Sequence, residues 1–276
     1  MASLQELRKR LRSIQSTGQL AGAMRTAATA KYAKLGRVRE DFGPYAEGCR
    51  AMLRLLGGAG IPRETSDIRK RDGFLVLSGN RGLCGGFHAE LNRFLEAELA
   101  KAENPPVLLV CGRKAAQFLR ERGIVFEEFE VSDVPRYEEI LPAAERLRAL
   151  YRDGEAERVF VLYQRFRNML NQDPVRRQLL PEERADGAGG DEPLFLPDRS
   201  SIAVQVAERC FEAALYDLAL ENAAGAQAAT MMAMRSACDN AEAAAADLQV
   251  TINRRRQADV TASVIETASG SFQQGV

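Results

Sequence analysis

Three groups of side chains in this sequence could do chemistry. The first is Gly79-Asn-Arg-Gly-Leu-Cys-Gly-Gly86, which follows the apolar run Phe74-Leu-Val-Leu-Ser78. A glycine-rich turn between a strand and a helix is where a nucleotide phosphate can rest on a helix N-terminus. Gly79, Gly82 and Gly85 are spaced three apart, however, where a dinucleotide loop needs Gly-x-Gly-x-x-Gly, and no Gly-Lys-Ser/Thr follows for a triphosphate. The turn reads better as a tight strand-to-helix connection whose glycines permit close packing. The second group is His88, the one histidine, and five cysteines (Cys49, Cys84, Cys111, Cys210, Cys238). No motif around His88 forms a triad or a metal cluster, so it reads as a surface or helix-start residue. The cysteines are odd in number and scattered, with no Cys-x-x-Cys pair. That pattern predicts reduced thiols in a cytosolic compartment, without a zinc site or a disulfide framework. The third group is Arg254-Arg255-Arg256 followed by Gln257. On a packed helix these would be a solvated charged face. On an unpaired helix, cations about 100° apart around the axis could meet acidic loops from several sides. Contact, not catalysis, is the chemistry they offer.

The element that carries those arginines is exceptional. Between Pro197 and Val276 there is no proline, and Gly225 is the only glycine before Gly270, so nothing local forces the chain out of a helix. A helix of ~70 residues spans roughly 105 Å, several times the radius of a compact domain. It must pair with another long helix, with other chains, or with both. Ser200 or Ser201 is the expected cap. Met231, Met234, Cys238, Ala241, Ala245, Leu248 and Ile252 keep a 3-4 alternation, a coiled-coil seam of mostly small residues. Past Ile252 the phase fails at Arg255 and Asp259, and Val260 and Val264 start a new stripe.

A second seam lies at the other end of the chain. Leu4, Leu7, Leu11 and Ile14 share one helical stripe, continued by Gly18, Ala21, Ala28, Tyr32 and Leu35. The small residues imply a partner helix at close range. Arg25 falls in phase and breaks the stripe, with Met24 beside it. The spacing predicts a bend or end near Gly43-Pro44, a resumption from Tyr45 to Leu56 and a stop at Gly57-Gly58. The two seams predict an antiparallel pair with a domain inserted at one end, the C-terminal helix outrunning its partner by ~30 Å at 1.5 Å per residue.

Between the seams the period changes. Phe74–Ser78, Val107–Cys111, Val125–Val131 and Val159–Tyr163 read as strands, with helices over Phe87–Lys101, through Arg122, and over Tyr137–Tyr151. Strand and helix alternating four times predict a three-layer α/β (Rossmann-like) domain with a mainly parallel sheet. Arg165–Leu180 should extend it as a strand or hairpin turning at Asn171–Pro174, and Pro181–Pro197 is a loop that ends the domain. The expected units are 1–57, a first coiled-coil helix; 72–197, the α/β domain; and 198–276, the long C-terminal helix.

Composition narrows the function. Lys plus Arg and Asp plus Glu number 38 each, so no global basic field favours nucleic acid or anionic lipid. Charge is local instead: residues 1–40 hold nine basic side chains against Glu6 and Glu40, while the stretch from Phe126 to Glu157 is mostly acidic. The longest apolar runs are too short to cross a bilayer. The Arg-rich start invites comparison with a mitochondrial presequence, but a cleavable leader has no reason to carry a heptad past residue 30.

Taken together these residues resemble the gamma subunit of the F-type rotary ATP synthase, over essentially the whole chain. Leu7-Arg-Lys-Arg-Leu-Arg-Ser-Ile14, Ala23-Met24 and Ala27 to Lys31 are similar to that family's opening helix. Ser78 with Arg81-Gly-Leu-Cys-Gly-Gly86 resembles its loop after the first strand. Ala233-Met234, Asp239-Asn-Ala241 and Asn253-Arg-Arg-Arg-Gln-Ala258 with Thr261 resemble its signature helix. Because the match begins within the first ten residues, it leaves no room for a presequence, and a bacterial enzyme is the best fit.

The resemblance implies a rotor shaft inside an alpha3-beta3 hexamer, with the α/β domain as a foot meeting the epsilon subunit and the membrane c-ring. It implies no catalytic residue, cofactor or metal in this chain, no nucleic acid, and attachment to the cytoplasmic side of a bacterial plasma membrane only through partners. Arg256 and Gln257 match the family's pair facing a beta catch loop, flanked by Arg254 and Arg255; Met24, Arg25 and Lys31 are further coupling candidates on the opposing helix. Gly82, Leu83, Cys84, Gly85 and Gly86 form a structural loop of the foot. The chain departs from the family pattern at Gly225-Ala226, Thr230, Ser263 and Thr267, which puts ion pairs at those heights in question. Two other readings stay open: a non-rotary scaffold in which two helices brace an α/β domain, and a nucleotide-binding α/β enzyme.

Overall fold

The computed structural model describes residues 3–56, 60–65, 67–182 and 198–273, the side chains of 199–201 and 266–273 excepted. A 52-residue helix α1 (Leu4–Leu55) opens the chain and a 75-residue helix α5 (Arg199–Gln273) closes it. Between them run β1 (Asp72–Leu77), α2 (Phe87–Lys101), β2 (Val107–Cys111), α3 (Arg113–Glu121), β3 (Glu127–Phe129), α4 (Tyr137–Arg152), β4 (Arg158–Phe166) and β5 (Gln172–Leu180). The chain divides into two compact units, Met1–Ala27 with Met231–Val276, and Ala28–Thr230.

The first unit is a pair of helices. Ser3 starts α1 as a capping box: its hydroxyl accepts the Glu6 N–H at 3.2 Å, and the Glu6 carboxylate accepts the Ser3 N–H at 2.7 Å. The seam is sustained on both sides. Leu4, Leu7, Leu11, Ile14 and Gly18 are half-buried and Ala21 is buried, while most of the residues between them are exposed. Met24 is half-buried and Arg25 exposed, so the phase break is a small rotation that turns the methionine inward. On α5, Met234 and Ile252 are buried, and Met231, Cys238, Ala241, Ala245 and Leu248 are half-buried.

A Cβ added to Gly18 would lie 3.1 Å from the Ala241 Cβ, and one added to Gly22 would lie 4.0 Å from Cys238 Sγ. As the α1 number rises by four the α5 number falls by three, so the helices are antiparallel. Backbones this close require a glycine on one side and an alanine on the other. The Cys238 thiol uses the approach to donate to the Gly18 carbonyl at 3.6 Å.

The second unit is a three-layer α/β fold. Its sheet has the order β3-β2-β1-β4-β5, parallel except for the antiparallel edge pair β4–β5. Consecutive residues of β1 point to opposite faces, and both faces are covered. Phe74 and Val76 join Leu91, Leu95, Ala115 and Leu119 of α2 and α3 in one core. Leu75 and Leu77 join Ile140, Leu147 and Leu150 of α4 in the other. That second core also takes in Ala207, Phe211, Leu215, Leu218 and Leu220 of α5, together with Leu35 and Leu53 of α1. From Cys210 to Ala228 nearly every residue of α5 is buried or half-buried, on all sides of the helix. This stretch of α5 is core to the sheet domain, not only one strand of a helical pair.

Three local expectations are corrected. Helix α1 passes through Gly43-Pro44 without ending, because Phe42, Ala46, Cys49 and Leu53 continue the inward stripe across it. Pro44 and Glu40 are exposed, so the carbonyl deprived of its partner can be hydrated. The hairpin turns at Arg167–Asn171, before the expected Asn171–Pro174. There the Asn168 side chain accepts the N–H groups of Leu170 and Asn171, both at 2.9 Å, and Pro174 sits inside edge strand β5. The third strand is limited to Glu127–Phe129. The helix α5 already starts at Arg199, so Ser200 and Ser201 lie inside it and neither is its cap, while the expected helix stop at Gly57-Gly58 and most of the Pro181–Pro197 loop lie outside the described residues.

Candidate partner-contact surfaces

The basic cluster lies where the helical pair runs out. Pairing of Gly18 with Ala241 gives a register sum of 259, which places Leu4 opposite residue 255. Beyond that point α5 has no partner from α1 yet stays helical to Gln273. Every described side chain from Asn253 to Ile265 is exposed. Arg255 pairs with Asp259 at 3.2 Å one turn along the same helix. Arg254 and Arg256 make no ion pair among the described residues, and their guanidinium groups face solvent with Gln257. Val260, Val264 and Ile265 are 57%, 62% and 60% exposed. A fork of cations beside an apolar stripe on a rigid rod suits a surface that is acidic in one place and apolar in another.

The other candidate contacts are not at this site. In the same register Arg25 faces residue 234, 22 residues from Arg256, or about 33 Å along the axis. Met24 and Arg25 are thus a separate station. Lys31 belongs to the second unit, where its ammonium meets Asp133 at 2.5 Å. Arg81, in the glycine-rich turn, approaches the same carboxylate at 3.6 Å. Asp133 therefore ties α1 to the turn, a role that a single aspartate in an acidic stretch gives no sign of in sequence. Two further acids of that stretch are paired with arginines from the same stretch: Glu127 takes Arg146 at 2.9 Å and Glu139 takes Arg136 at 2.8 Å.

The turn itself is fastened on every side. Asn80 donates to the Val131 carbonyl at 2.6 Å and accepts the Arg113 N–H at 3.2 Å. Leu83 adopts φ 66° and projects its side chain into solvent, 61% exposed. Gly85 takes φ 60°, and Cys84 and Phe87 turn inward against Ala226 of α5. That contact gives Gly225 its reason: a Cβ there would lie 3.2 Å from Phe87 Cε2. His88 is buried, contrary to a surface placement, although it does sit at the helix start. Burial lowers its pKa, so the ring is neutral, and Nε2–H donates to the Arg81 carbonyl at 3.0 Å. Burial raises the Cys84 thiol.

Three buried polar side chains fix α5 to the sheet domain. Glu212 accepts from Tyr137 Oη at 2.8 Å, Arg148 at 2.7 Å and Arg209 at 2.9 Å. Asn222 Oδ1 accepts the Gln164 N–H at 3.1 Å, and Glu221 accepts the Phe166 N–H at 3.0 Å, so β4 is gripped at its C-terminal end. Among the described residues no group of three or more His, Cys, Asp or Glu side chains is placed to hold a metal ion, and no helix is long and apolar enough to cross a membrane.

Known proteins share both the sequence and this arrangement. The family model described as ATP synthase matches residues 3–272. The ATP synthase gamma chain of Nitrosococcus oceani is 31% identical, and that of Desulfitobacterium hafniense 29%, each over 98% of this chain and 99% of the relative. Among solved structures, a chain of the Euglena gracilis mitochondrial ATP synthase (OSCP/F1/c-ring) superposes with a TM-score of 0.69 at 16% identity, covering 98% of this chain and 94% of that one. A chain of the rotor of the same enzyme gives 0.64 at 17%, covering 93% and 98%. The structural likeness carries the fold, and the sequence matches run through both long helices and the domain between them: this chain belongs to the ATP synthase gamma-chain family.

Proposed function

We infer that this chain is the central-stalk subunit of a rotary F-type ATP synthase. The observation that carries this reading is the end of α5: a helix that outruns its partner and exposes Arg254, Arg256, Gln257, Val260 and Val264 together. A rod with different chemistry at different angles cannot treat three equivalent neighbours alike. Whichever catalytic subunit faces the arginines is favoured in one conformation, the others in different ones, and rotation passes each preference to the next. Free energy is exchanged as differential binding between states, since a contact equal in all states would shift nothing.

In this role the chain supplies no catalytic group. ATP is made or hydrolysed on the beta subunits of the alpha3-beta3 hexamer, and the sheet domain meets the epsilon subunit and the c-ring. Arg256 and Gln257 carry the main contact with beta, Arg254 and Arg255 flank it, and Met24 and Arg25 form a second contact about 33 Å away by the helical rise. Lys31, already held by Asp133, acts by fixing the turn at Gly82–Gly86 to α1. The chain sits peripherally on the cytoplasmic face of a bacterial membrane, reaching it only through partners. Co-purification tests the reading. A tagged chain should bring down alpha, beta, epsilon and c subunits identified by mass spectrometry, whereas a stable monomer with no affinity for an alpha-beta hexamer would mark the non-rotary scaffold instead.

A further inference from the structure

Cys49 and Cys210 come from opposite ends of the sequence and meet inside the second unit. Phe42 and Tyr216 stack edge to face there with ring centroids 4.8 Å apart, and Arg39 reaches Asp217 at 3.0 Å and Glu221 at 3.8 Å. These contacts set an antiparallel register in which paired residue numbers sum to about 258. Cys49 and Cys210 sum to 259, which sets them opposite each other, and burial first, then the neighbouring Cys49, push the Cys210 thiol up to about 12. The same register sets buried Ala46 opposite buried Ala213 one turn away, and two alanines at that point let the helix backbones approach. A disulfide needs such an approach, with Cα atoms about 4.4–6.8 Å apart.

The two thiols differ in access. Cys210 is 4% exposed. Cys49 is half-buried and lines an open groove of about 590 Å³ with Tyr45, Met52, Val206 and Arg209. A small solute can therefore reach Cys49 first and find Cys210 directly behind it. The other cysteines lack this arrangement: Cys84 and Cys111 are buried in the turn and in β2, and Cys238 donates to the Gly18 carbonyl in the helical pair.

We propose that Cys49 and Cys210 are a peroxide-responsive dithiol that closes to a disulfide and staples α1 to α5. The Cys49 sulfur attacks one oxygen of hydrogen peroxide, the O–O bond breaks, and Cys49 becomes a sulfenic acid as one water leaves. The Cys210 sulfur then displaces that hydroxyl, which departs with the Cys210 proton as a second water. Two thiols lose two electrons and the peroxide gains them; a cellular dithiol reverses the step by exchange. Every strand of the sheet lies between these cysteines in sequence, so the bond closes the whole α/β domain into one covalent loop and stops α1 from sliding along α5. The proposal does not depend on the rotor assignment.

The test is peptide mapping of the reduced full-length chain after brief exposure to hydrogen peroxide and alkylation of remaining thiols. The expected product is a chain lighter by two hydrogens whose Cys49 and Cys210 peptides are linked, in most molecules, and separate again with dithiothreitol. Cys49→Ser, at a half-exposed position, should fold normally and lose the link altogether. Recovery of Cys49 as sulfinic or sulfonic acid with Cys210 still a thiol, linkage mainly between two chains, or a link persisting in Cys49→Ser would overturn the proposal.

Discussion

Gly18 and Ala241 mark a point of close approach in the helical pair: the position a Cβ would take on Gly18 is 3.1 Å from the Ala241 Cβ. Contact at that range is tight enough that one of the two positions must be small. Gly18→Ala adds intrinsic helix stability, about 1 kcal/mol for a glycine in a helix interior, but presses the helices apart. Ala241→Gly relieves the pressure. A double-mutant cycle by chemical denaturation should give a favourable coupling of about 0.5–3 kcal/mol, with Gly18→Ala tolerated better when combined with Ala241→Gly than when Ala241 is kept. Additive effects would mean that the seam is not closed here.

Glu212 is the polar centre of the contact between α5 and the sheet domain. Its side chain is 5% exposed, and Arg148 opposite it is 15% exposed. Removing one partner of a buried pair leaves the other without compensation, so Glu212→Ala should destabilise the second unit by about 3 kcal/mol. Glu212→Gln, which keeps the shape but not the charge, should cost less. Thermal unfolding of the two variants distinguishes lost volume from lost charge.

Glu139 gives the fold an acid-sensitive joint. Burial acts to raise its pKa, but the Ser132 N–H and hydroxyl, each at 2.9 Å, and Arg136 overcome this and bring it from 4.5 down to about 2. A carboxyl whose pKa is lower folded than unfolded stabilises fully above the unfolded value and loses that contribution as pH falls through the folded one. The wild type should therefore lose stability between pH 4.5 and about 2. Glu139→Gln should be less stable at neutral pH by about 1 kcal/mol, as for a lost helix cap, and flatter across that window in urea titrations.

The helical pair is the most legible part of the sequence, because a 3-4 alternation such as Met231, Met234, Cys238, Ala241 has few other solutions. Even the break at Arg25 has its remedy written beside it in Met24. Pro44 misleads because local backbone chemistry is set against a stripe that continues through Ala46 and Leu53. The all-round burial of α5 from Cys210 to Ala228 is hidden for a different reason. An alanine-rich segment reads the same whether it packs on one helix or against a helix, a sheet and another helix at once. The ties that position the candidate contacts, Asp133 to Lys31 and Arg81 and Glu212 to Tyr137, join residues far apart in sequence and leave no periodic trace. The exposed tip is legible as a loss of pattern: where the seam dissolves, nothing among the described residues covers Val260 and Val264.

The proposed rotor role rests on the uncovered end of α5 transmitting torque by contact. The direct measurement is ATP synthesis by inverted membrane vesicles carrying Arg256→Ala with Gln257→Ala, beside the amount of assembled complex. Loss of contacts worth about 1.4 kcal/mol in the rate-limiting step would lower synthesis roughly tenfold. A fall of that order with assembly unchanged is the expected result. Synthesis at the wild-type rate by a fully assembled complex would contradict it.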